Sequence, residues 1–291
     1  CPDELGDFPA ELSTRVLSVC NGNGNELYVL IAHGIAKILF GQDGYVEDVV
    51  TCDIGYFSPR CMALFQNGIV VGGLSGVAFY AFDGHGGFRP TELLSSLSGI
   101  KNVSSLLAHG DNLWIGTENG LFCFSMSNGK LSAFRHSDSD PGSIMDSHVT
   151  CLALNNSSDL LIGTTSGIDM YTRSGGFLHM RQDRRFRSIN SNYINHITVD
   201  RDGTMWVGTL VGGLNRITPK EVMFTDMLVV ENGESNVISS CFEDENGNML
   251  VGILGKGLAV KSKNSSDFRF YSLEKTSGTL QESISSIERD K

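Results

Sequence analysis

The chain has 291 residues and a formal net charge of −11, with 41% hydrophobic and 19% charged residues. This composition is that of an ordinary globular protein, and it excludes an intrinsically disordered chain. The acidic balance argues against nucleic acid or an anionic membrane as a partner, because both bind positively charged surfaces.

Six segments in chain order share one pattern: a strand rich in β-forming residues, a turn, a glycine and an alternating strand. The shared glycine stands at positions 34, 76, 120, 167, 213 and 257, at intervals of 42 to 47 residues. A regular interval of this size indicates a stacked or circular array of similar units. The segments begin at Glu26, Gly68, Asn112, Asp159, Thr204 and Asn248.

A second shared piece, a short buried strand, precedes each segment. It begins at Val16, Cys61, Val103, Val149, Ile194 and Val237, and a seventh copy begins at Ile284. With a looser strand that closes each unit, the pattern predicts four antiparallel strands per unit, and no ten-residue stretch has helical periodicity. Four short strands with their turns have the length of one propeller blade.

We therefore expect an all-β fold, a β-propeller of four-stranded antiparallel blades with six complete blades and part of a seventh. The predicted domain is a single propeller over residues 1–291. Its blades cover approximately residues 16–58, 59–101, 102–146, 147–192, 193–235 and 236–282, and residues 283–291 form the first strand of a further blade. Residues 4–12 would supply the last strand of that blade. The alternative is a six-bladed ring in which the C-terminal strand is a clasp.

The seven cysteines indicate packing rather than metal or redox chemistry. No pair has the CxxC spacing, which excludes a zinc ribbon and a thioredoxin-type motif. Four of them fall in first strands inside apolar runs, and we interpret them as small buried hydrophobic residues rather than disulfide partners. These four are Cys20, Cys61, Cys151 and Cys241.

Targeting segments are missing from the sequence as given. The longest apolar stretch, residues 69–82, is interrupted by glycines and is too short to span a bilayer. No signal peptide opens the chain, so we expect the leader of an exported form to be removed or left out.

No motif indicates catalysis, and we predict no catalytic residue, no cofactor and no metal ion. His148 and His196 lie at or inside first strands, where a lyase would need a histidine pair, but they occupy different repeat positions. Residues 200–204 and 243–248 resemble calcium loops faintly, but they lack the EF-hand spacing and are better explained as hairpin turns. Neither a Gly-x-Ser-x-Gly nucleophile nor a Gly-Lys-Ser/Thr phosphate loop occurs.

Topology predicts a binding face better than any motif does. Because strands alternate in direction, the loop leading into each first strand and the turn between the second and third strands share one face. The predicted ligand-binding residues on this face are Arg15, His33, Arg60, Asn102, Asn119, His148, Tyr193 and Asn236, with Ser75, Ser166 and Lys256 nearby. Polar loops occur on any propeller, which is the simpler explanation for each residue alone. The basic cluster of residues 181–187 is either solvated surface or a site for an acidic glycan.

Two copies carry a resemblance to a known family. The stretches Asn112-LWIGTENGL and Ile194-NHITVDRDGTMWVGTLVGGLNRI resemble the two-component regulator propeller repeat, whose core is Gly-Thr-x-x-Gly-Leu. The first two copies depart from it, because Leu30-Ile31 and Gly72-Gly73 replace Gly-Thr. WD40 repeats match less well, since neither a Trp-Asp nor a Gly-His signature recurs.

The resemblance implies a function that the residues alone do not. Such propellers lie in the periplasmic sensor region of hybrid histidine kinases of gut Bacteroidetes, and this chain is similar to the first propeller. The resemblance implies a periplasmic location, an oligosaccharide ligand, the rest of a sensor kinase chain as partner, and a homodimer in the intact receptor. The alternatives are a propeller enzyme, either a polysaccharide lyase or a glycoside hydrolase, and a protein-interaction scaffold.

Overall fold

The computed structural model describes residues 15–55, 57–91, 97–173, 175–183, 188–218, 224–227, 230–231, 234–265, 267–271, 284 and 286–287. The strands among these residues form six successive four-stranded antiparallel sheets and one two-stranded hairpin. In each four-stranded sheet the strands follow one another in chain order. This is the predicted all-β propeller fold with six blades.

The first three sheets cover the N-terminal part of the chain. Sheet 1 contains β1 (Val16–Asn21), β2 (Glu26–Ile31), β3 (Gly34–Phe40) and β4 (Val46–Asp53). Sheet 2 contains β5 (Pro59–Phe65), β6 (Gly68–Gly73), β7 (Gly76–Phe82) and β8 (Phe88–Thr91). Sheet 3 contains β9 (Val103–His109), β10 (Asn112–Thr117), β11 (Gly120–Ser125) and β12 (Leu131–Phe134).

The last three sheets repeat the same order. Sheet 4 contains β13 (Val149–Leu154), β14 (Leu160–Thr164), β15 (Gly167–Tyr171) and β16 (Phe177–Met180). Sheet 5 contains β17 (Ile194–Val199), β18 (Met205–Thr209), β19 (Gly213–Ile217) and β20 (Phe224–Met227), and the hairpin of β21 (Val230–Glu231) and β22 (Glu234–Ser235) follows. Sheet 6 contains β23 (Ile238–Glu243), β24 (Met249–Ile253), β25 (Gly257–Lys261) and β26 (Arg269–Tyr271).

The chain divides into two compact units. One contains sheets 1 and 2, the other contains sheets 4, 5 and 6, and the boundary runs through sheet 3. Within the first unit, apolar residues of sheets 1 and 2 form a shared core around Leu30 and Ile69. Within the second, Leu161 and Val207 belong to a core of sheets 4 and 5, while Trp206 and Val251 belong to one of sheets 5 and 6.

The second strands of the sheets are buried along most of their length, most completely in sheets 2 and 4. All six residues of β6 and all five of β14 are buried. A strand covered on both faces has a continuous apolar sequence rather than an alternating one. This explains the repeated Leu-Trp-Ile-Gly type of run.

A glycine in the second strand receives a side chain from the first strand of the next sheet. A β-carbon on Gly72 would lie 2.5 Å from Val103 Cγ1, one on Gly163 2.8 Å from Ile194 Cγ2, and one on Gly208 2.6 Å from Ile238 Cγ2. Any side chain at these positions would push the neighbouring sheet away. We call this contact the glycine seat.

Ile284 occupies the glycine seat of sheet 6. A β-carbon on Gly252 would lie 3.1 Å from Ile284 Cγ2. Ser239 Oγ donates a hydrogen bond to the Ile284 carbonyl, as Asn195 Nδ2 donates to that of Ile238 one sheet earlier. The described residues Ile284, Ser286 and Ile287 are not in a strand. The seventh blade therefore stays a prediction, and its other expected strand at residues 4–12 lies outside the described residues.

Six cysteines in the described part of the chain are free thiols. Cys20, Cys61, Cys151 and Cys241 lie in the first strands β1, β5, β13 and β23, as predicted. Burial raises the pKa of Cys61 and of Cys151 to about 12, so both thiols are protonated and unreactive at neutral pH. The described residues include no apolar helix of membrane-spanning length.

Replacement of a glycine in the glycine seat is expected to destabilise the protein. Gly163→Ala places a methyl group against Ile194 and Cys151, and overpacking of this kind costs about 1–3 kcal/mol of unfolding free energy. Urea denaturation measures the change. The control is Gly99→Ala, since a β-carbon there meets no atom within 4 Å, and it should change stability by less than about 0.5 kcal/mol. Equal effects of the two substitutions would contradict the glycine seat.

Candidate functional site

One edge of each sheet carries both the loop that leads into the first strand and the turn between the second and third strands. We call it the incoming edge. The Thr165 N–H donates to the His148 carbonyl at 3.3 Å, and the Leu210 N–H donates to the Tyr193 carbonyl at 3.0 Å. Equivalent bonds join Leu74 to Ser58 in sheet 2 and Leu254 to Val237 in sheet 6. Loop and turn therefore lie together in each of these sheets, as the topology predicts.

A buried threonine closes the turn on this edge in three sheets. Thr117, Thr164 and Thr209 each donate a side-chain hydrogen bond to the carbonyl of the glycine that opens the third strand, at 2.8–2.9 Å. The same hydroxyl accepts a turn N–H at 3.0–3.1 Å. The glycine has a positive φ in these turns, for example 139° at Gly167, which other residues rarely adopt. These contacts explain the Gly-Thr-x-x-Gly-Leu repeat in physical terms.

The incoming loops of sheets 4 and 5 contain similar seven-residue segments that begin with Ser-Ile. Residues 143–149 read Ser-Ile-Met-Asp-Ser-His-Val, and residues 188–194 read Ser-Ile-Asn-Ser-Asn-Tyr-Ile. Ser143 Oγ accepts the Ser137 N–H at 3.0 Å, and Ser188 Oγ accepts the Asp183 N–H at 2.7 Å. The isoleucine that follows each serine, Ile144 or Ile189, is buried. Each segment therefore forms an ordered loop with a buried isoleucine and defined hydrogen bonds. The sequence analysis predicted only polar loops here and did not predict this structure.

A polar residue of the third strand anchors each of these two loops. Asp169 of β15 is fully buried, and its Oδ2 accepts the Met145 N–H at 2.9 Å. Asn215 of β19 is also fully buried, and its Oδ1 accepts the N–H of Asn190 at 2.9 Å. Sheets 1, 2 and 6 have alanine at this position, at Ala36, Ala78 and Ala259. A sequence signal for this contact exists: Asp169 and Asn215 are polar where other third strands have alanine, and both occur in the two units whose loops begin with Ser-Ile.

Two histidines hold the loop of sheet 4 through both ring nitrogens. His179 Nδ1 lies 2.6 Å from Asp169 Oδ1, and its Nε2 lies 3.0 Å from the Pro141 carbonyl oxygen. His136 Nδ1 lies 2.8 Å from the Ile144 carbonyl oxygen, and its Nε2 lies 3.0 Å from Asp138 Oδ1. Because all four partners are oxygen acceptors, each ring makes both bonds only as a doubly protonated imidazolium.

The pKa shifts agree with this geometry. Burial lowers the pKa of His179, but the hydrogen bonds to Asp169 and to the Pro141 carbonyl outweigh it and leave the pKa raised. The hydrogen bond to the Ile144 carbonyl, followed by that to Asp138, raises the pKa of His136. Burial raises the pKa of Asp169, although the bonds from His179 and the Met145 N–H offset part of this effect.

The eight predicted ligand-binding residues differ in exposure. Arg15, His33, Arg60 and Asn119 are exposed, and Asn102, His148 and Tyr193 are half-buried. Asn236 is only 3% exposed, so its side chain is not part of the surface of the incoming edge. The Asn119 carbonyl accepts a hydrogen bond from Arg135 Nε at 3.1 Å. A role of these residues in ligand binding stays a prediction.

The two histidines considered for a lyase site lie at different repeat positions. His148 precedes β13, while His196 pairs with Gly208 inside β17. Burial lowers the pKa of His196 to about 4, so its ring is neutral at pH 7. Among the described residues, no group of three or more His, Cys, Asp and Glu side chains could hold a metal ion. Of the basic cluster at 181–187, only Arg181, Gln182 and Asp183 lie within the described residues.

The opposite edge carries the turns between first and second strands. Asp200 Oδ1 accepts the Thr204 N–H at 2.7 Å, and Asp244 Oδ1 accepts those of Asn246 and Asn248 at 2.9 and 2.7 Å. These bonds support the interpretation of both segments as hairpin turns rather than calcium loops. Asp200 Oδ2 also accepts the indole N–H of Trp206 at 3.0 Å. Burial and the neighbouring Asp200 raise the pKa of Glu243 to about 7.

Comparison with known proteins supports the predicted resemblance. Residues 188–210 match the family described as "Two component regulator propeller". The match begins at Ser188, the first residue of the loop segment in sheet 5, and ends in the turn after β18. No curated protein sequence matches the chain.

Solved structures with the same fold include extracellular domains of two-component systems and a lyase. The extracellular domain of the putative hybrid two component system BT4673 from B. thetaiotaomicron is 18% identical, with a TM-score of 0.74 over 97% of this chain. That of BT3049 from the same organism is 21% identical, with a TM-score of 0.66 over 89%. The chain spans about a third of these domains, 36% and 34%. Virginiamycin B lyase from Staphylococcus aureus is 11% identical, with a TM-score of 0.66 over 90% of this chain and 86% of its own. At these identities the likeness shows the fold alone.

The protonation of the loop histidines should follow the geometry. We expect His136 and His179 to remain imidazolium ions at pH 6.5, while the buried ring of His196 is neutral there. The pKa values of both histidines in the folded protein are raised above 6.5. The contribution of the two protonated rings to the free energy of unfolding is therefore complete below pH 6.5 and is lost as the pH rises through the folded pKa values. Nitrogen chemical shifts of the rings, measured by NMR against pH, report all three sites. A neutral His179 ring at pH 6.5 would contradict the assignment.

Glu243→Gln is expected to stabilise the protein at high pH. The raised pKa means that the stabilising contribution of the protonated carboxyl is complete below pH 4.5 and is lost as the pH rises through about 7. Glutamine stays neutral, so its unfolding free energy should exceed that of the wild type by about 1 kcal/mol at pH 8, since solvent screens this partly exposed group. Urea denaturation should show little difference at pH 5. The control Glu47→Gln replaces an exposed residue and should change stability by less than about 0.5 kcal/mol at pH 8. A loss of stability in Glu243→Gln at pH 8 would refute the prediction.

Proposed function

We propose that this chain is the ligand-binding propeller in the extracytoplasmic sensor part of a hybrid two-component signalling protein. The observation that carries the proposal is the agreement of fold over 97% of the chain with the extracellular domain of such a system. The family match at residues 188–210 supports it independently, because it rests on sequence. Residues 1–291 act as one propeller domain in this proposal, and the location is the periplasm.

The proposed ligand is an oligosaccharide derived from a glycan, and the kinase lies outside these residues. The chain corresponds to about a third of its relatives' extracellular domains, so relay to a kinase needs the rest of the receptor chain. We propose that the intact receptor is a homodimer with two arrangements. A ligand shifts such an equilibrium only through its difference in affinity for the two states, and a full switch requires about 5.5 kcal/mol.

The incoming edge is our proposed contact surface for the ligand or the rest of the receptor. Its loops in sheets 4 and 5 are held by the buried Asp169 and Asn215, so exposed side chains on them are presented in defined positions. Preorganised groups lose less conformational entropy on binding than flexible ones. Arg15, His33, Arg60, Asn102, Asn119, His148 and Tyr193 remain the proposed contact residues.

A lyase is the second candidate, and one observation favours it. The fold matches virginiamycin B lyase over 86% of that enzyme's length, whereas it matches only a third of the sensor domains. A histidine variant of that lyase is described as catalytically inactive. In this chain a corresponding role would require His148 or His196 beside an acid.

Direct binding measurements test the proposal. We expect isothermal titration calorimetry of the purified chain against neutral and acidic oligosaccharides to find a binder that also raises the thermal unfolding midpoint, because a ligand at about 100 times its Kd stabilises by about 2.7 kcal/mol. His33→Ala and Asn119→Ala should weaken binding if the incoming edge is the site. Cleaved product without added enzyme would decide for the lyase, and no binding in the whole panel would contradict a sugar-sensing role for this chain.

A further inference from the structure

Residues of sheets 1 and 2 line an open pocket at the edge opposite the incoming edge. Its volume is about 430 Å³, within the range of about 300–1,000 Å³ typical of small-molecule sites. The residues that matter for its chemistry come from the turns and strand ends of both sheets. They are Asn23, Glu26, Tyr28, Lys37, Gln66 and Phe82.

One wall of the pocket is aromatic. The rings of Tyr28 and Phe82 stack with their centroids 5.5 Å apart and their planes 27° from parallel, and Phe88 meets Tyr28 edge-on at 6.0 Å. A β-carbon on Gly22 would lie 2.6 Å from Tyr28 Cε2, so this ring uses the space that a side chain at Gly22 would fill. Tyr28 is 2% exposed, while Phe82 is half-buried and lines the pocket. The wall is therefore rigid and apolar.

An ion pair with no net charge, formed by Lys37 and Glu26, lies beside the aromatic wall. Lys37 Nζ lies 2.5 Å from Glu26 Oε1, and the Tyr28 hydroxyl donates to Glu26 Oε2 at 3.0 Å. Burial would raise the pKa of Glu26, but the hydrogen bonds from Lys37 and Tyr28 outweigh it and lower the pKa. The carboxylate is thus ionised, with unused lone pairs, and the ammonium group has further N–H donors.

The aromatic wall and the neutral ion pair together favour one class of ligand. Because the Lys37–Glu26 pair has no net charge, it gives neither an anionic nor a cationic ligand a net attraction, and this favours an uncharged ligand. A sugar ring has an apolar C–H face that suits an aromatic wall and hydroxyls that both donate and accept hydrogen bonds. The side-chain amides of Asn23 and Gln66, both exposed, line the same pocket and have the same dual capacity.

We propose that this pocket binds a neutral sugar ring, with its C–H face against Phe82 and its hydroxyls on Glu26 and Lys37. The site is separate from the incoming edge, and its ligand class rests on the proposed function. It adds a second position at which an oligosaccharide contacts the propeller.

Ligand-detected NMR tests the pocket with defined probes: lactose, cellobiose, maltose and xylobiose, with a uronic-acid disaccharide for comparison. Wild-type protein should bind at least one neutral disaccharide and prefer it to the acidic one. Phe82→Ala and Glu26→Gln should each weaken that binding by at least about tenfold, which corresponds to 1.4 kcal/mol. Glu26→Gln keeps the shape of the side chain, so its result holds even if Phe82→Ala folds poorly.

Phe177→Ala is the matched control. Phe177 is a half-buried aromatic residue in a similar trio with Phe134 and Tyr171, with a ring distance of 5.1 Å to Tyr171, and it does not line the pocket. Its binding should equal that of the wild type. If the wild type, Phe82→Ala and Glu26→Gln bind a neutral sugar equally, the pocket is not the binding site, but the proposed sugar-sensing function is not contradicted. If only acidic or longer oligosaccharides bind the wild type, the pocket is also wrong, and if none bind, the proposed function fails with it.

Discussion

The close contact between a second-strand glycine and the first strand of the next sheet is the constraint on which the rest of the structure depends. Gly72, Gly163 and Gly208 each leave room for a β-branched side chain of the following sheet, at distances that no β-carbon would allow. The contact brings sheets close enough to bury their second strands on both faces, and the shared cores form there. With the sheets held in this way, their loops and turns fall on the two edges, where function has to be sought.

The two edges of the sheets differ in structure. On the incoming edge of sheets 4 and 5, buried Asp169 and Asn215 and the turn threonines form hydrogen bonds with main-chain groups of the loops and turns. The two histidines that hold the loop of sheet 4 make both of their ring hydrogen bonds only as imidazolium ions. On the opposite edge, sheets 1 and 2 leave a pocket with one aromatic wall and a neutral ion pair. One edge offers fixed polar loops, and the other offers a concave site.

The sequence predicted the fold well because the fold is repeated. Glycines 42 to 47 residues apart and apolar second strands are local signals that recur six times, and the six four-stranded sheets follow from them. The site was harder to predict, because its contacts join residues that are distant in sequence. Asp169 meets Met145 across 24 positions, and the pocket gathers Glu26 and Phe82 from different sheets. Asn236 shows the same limit, since its position in an incoming loop suggested a surface residue but its side chain is only 3% exposed.

The glycine seat is tested most directly by a double-mutant cycle on Gly208 and Ile238. Gly208→Ala alone should destabilise the protein by overpacking, and Ile238→Ala alone should cost about 2–5 kcal/mol by leaving a cavity. Because the new methyl group would occupy the space that Ile238 vacates, the double variant should be more stable than the sum of the two changes predicts, by about 1–3 kcal/mol in urea denaturation. Strictly additive effects would mean that the two residues do not share this space, and the account of how the sheets pack would be wrong.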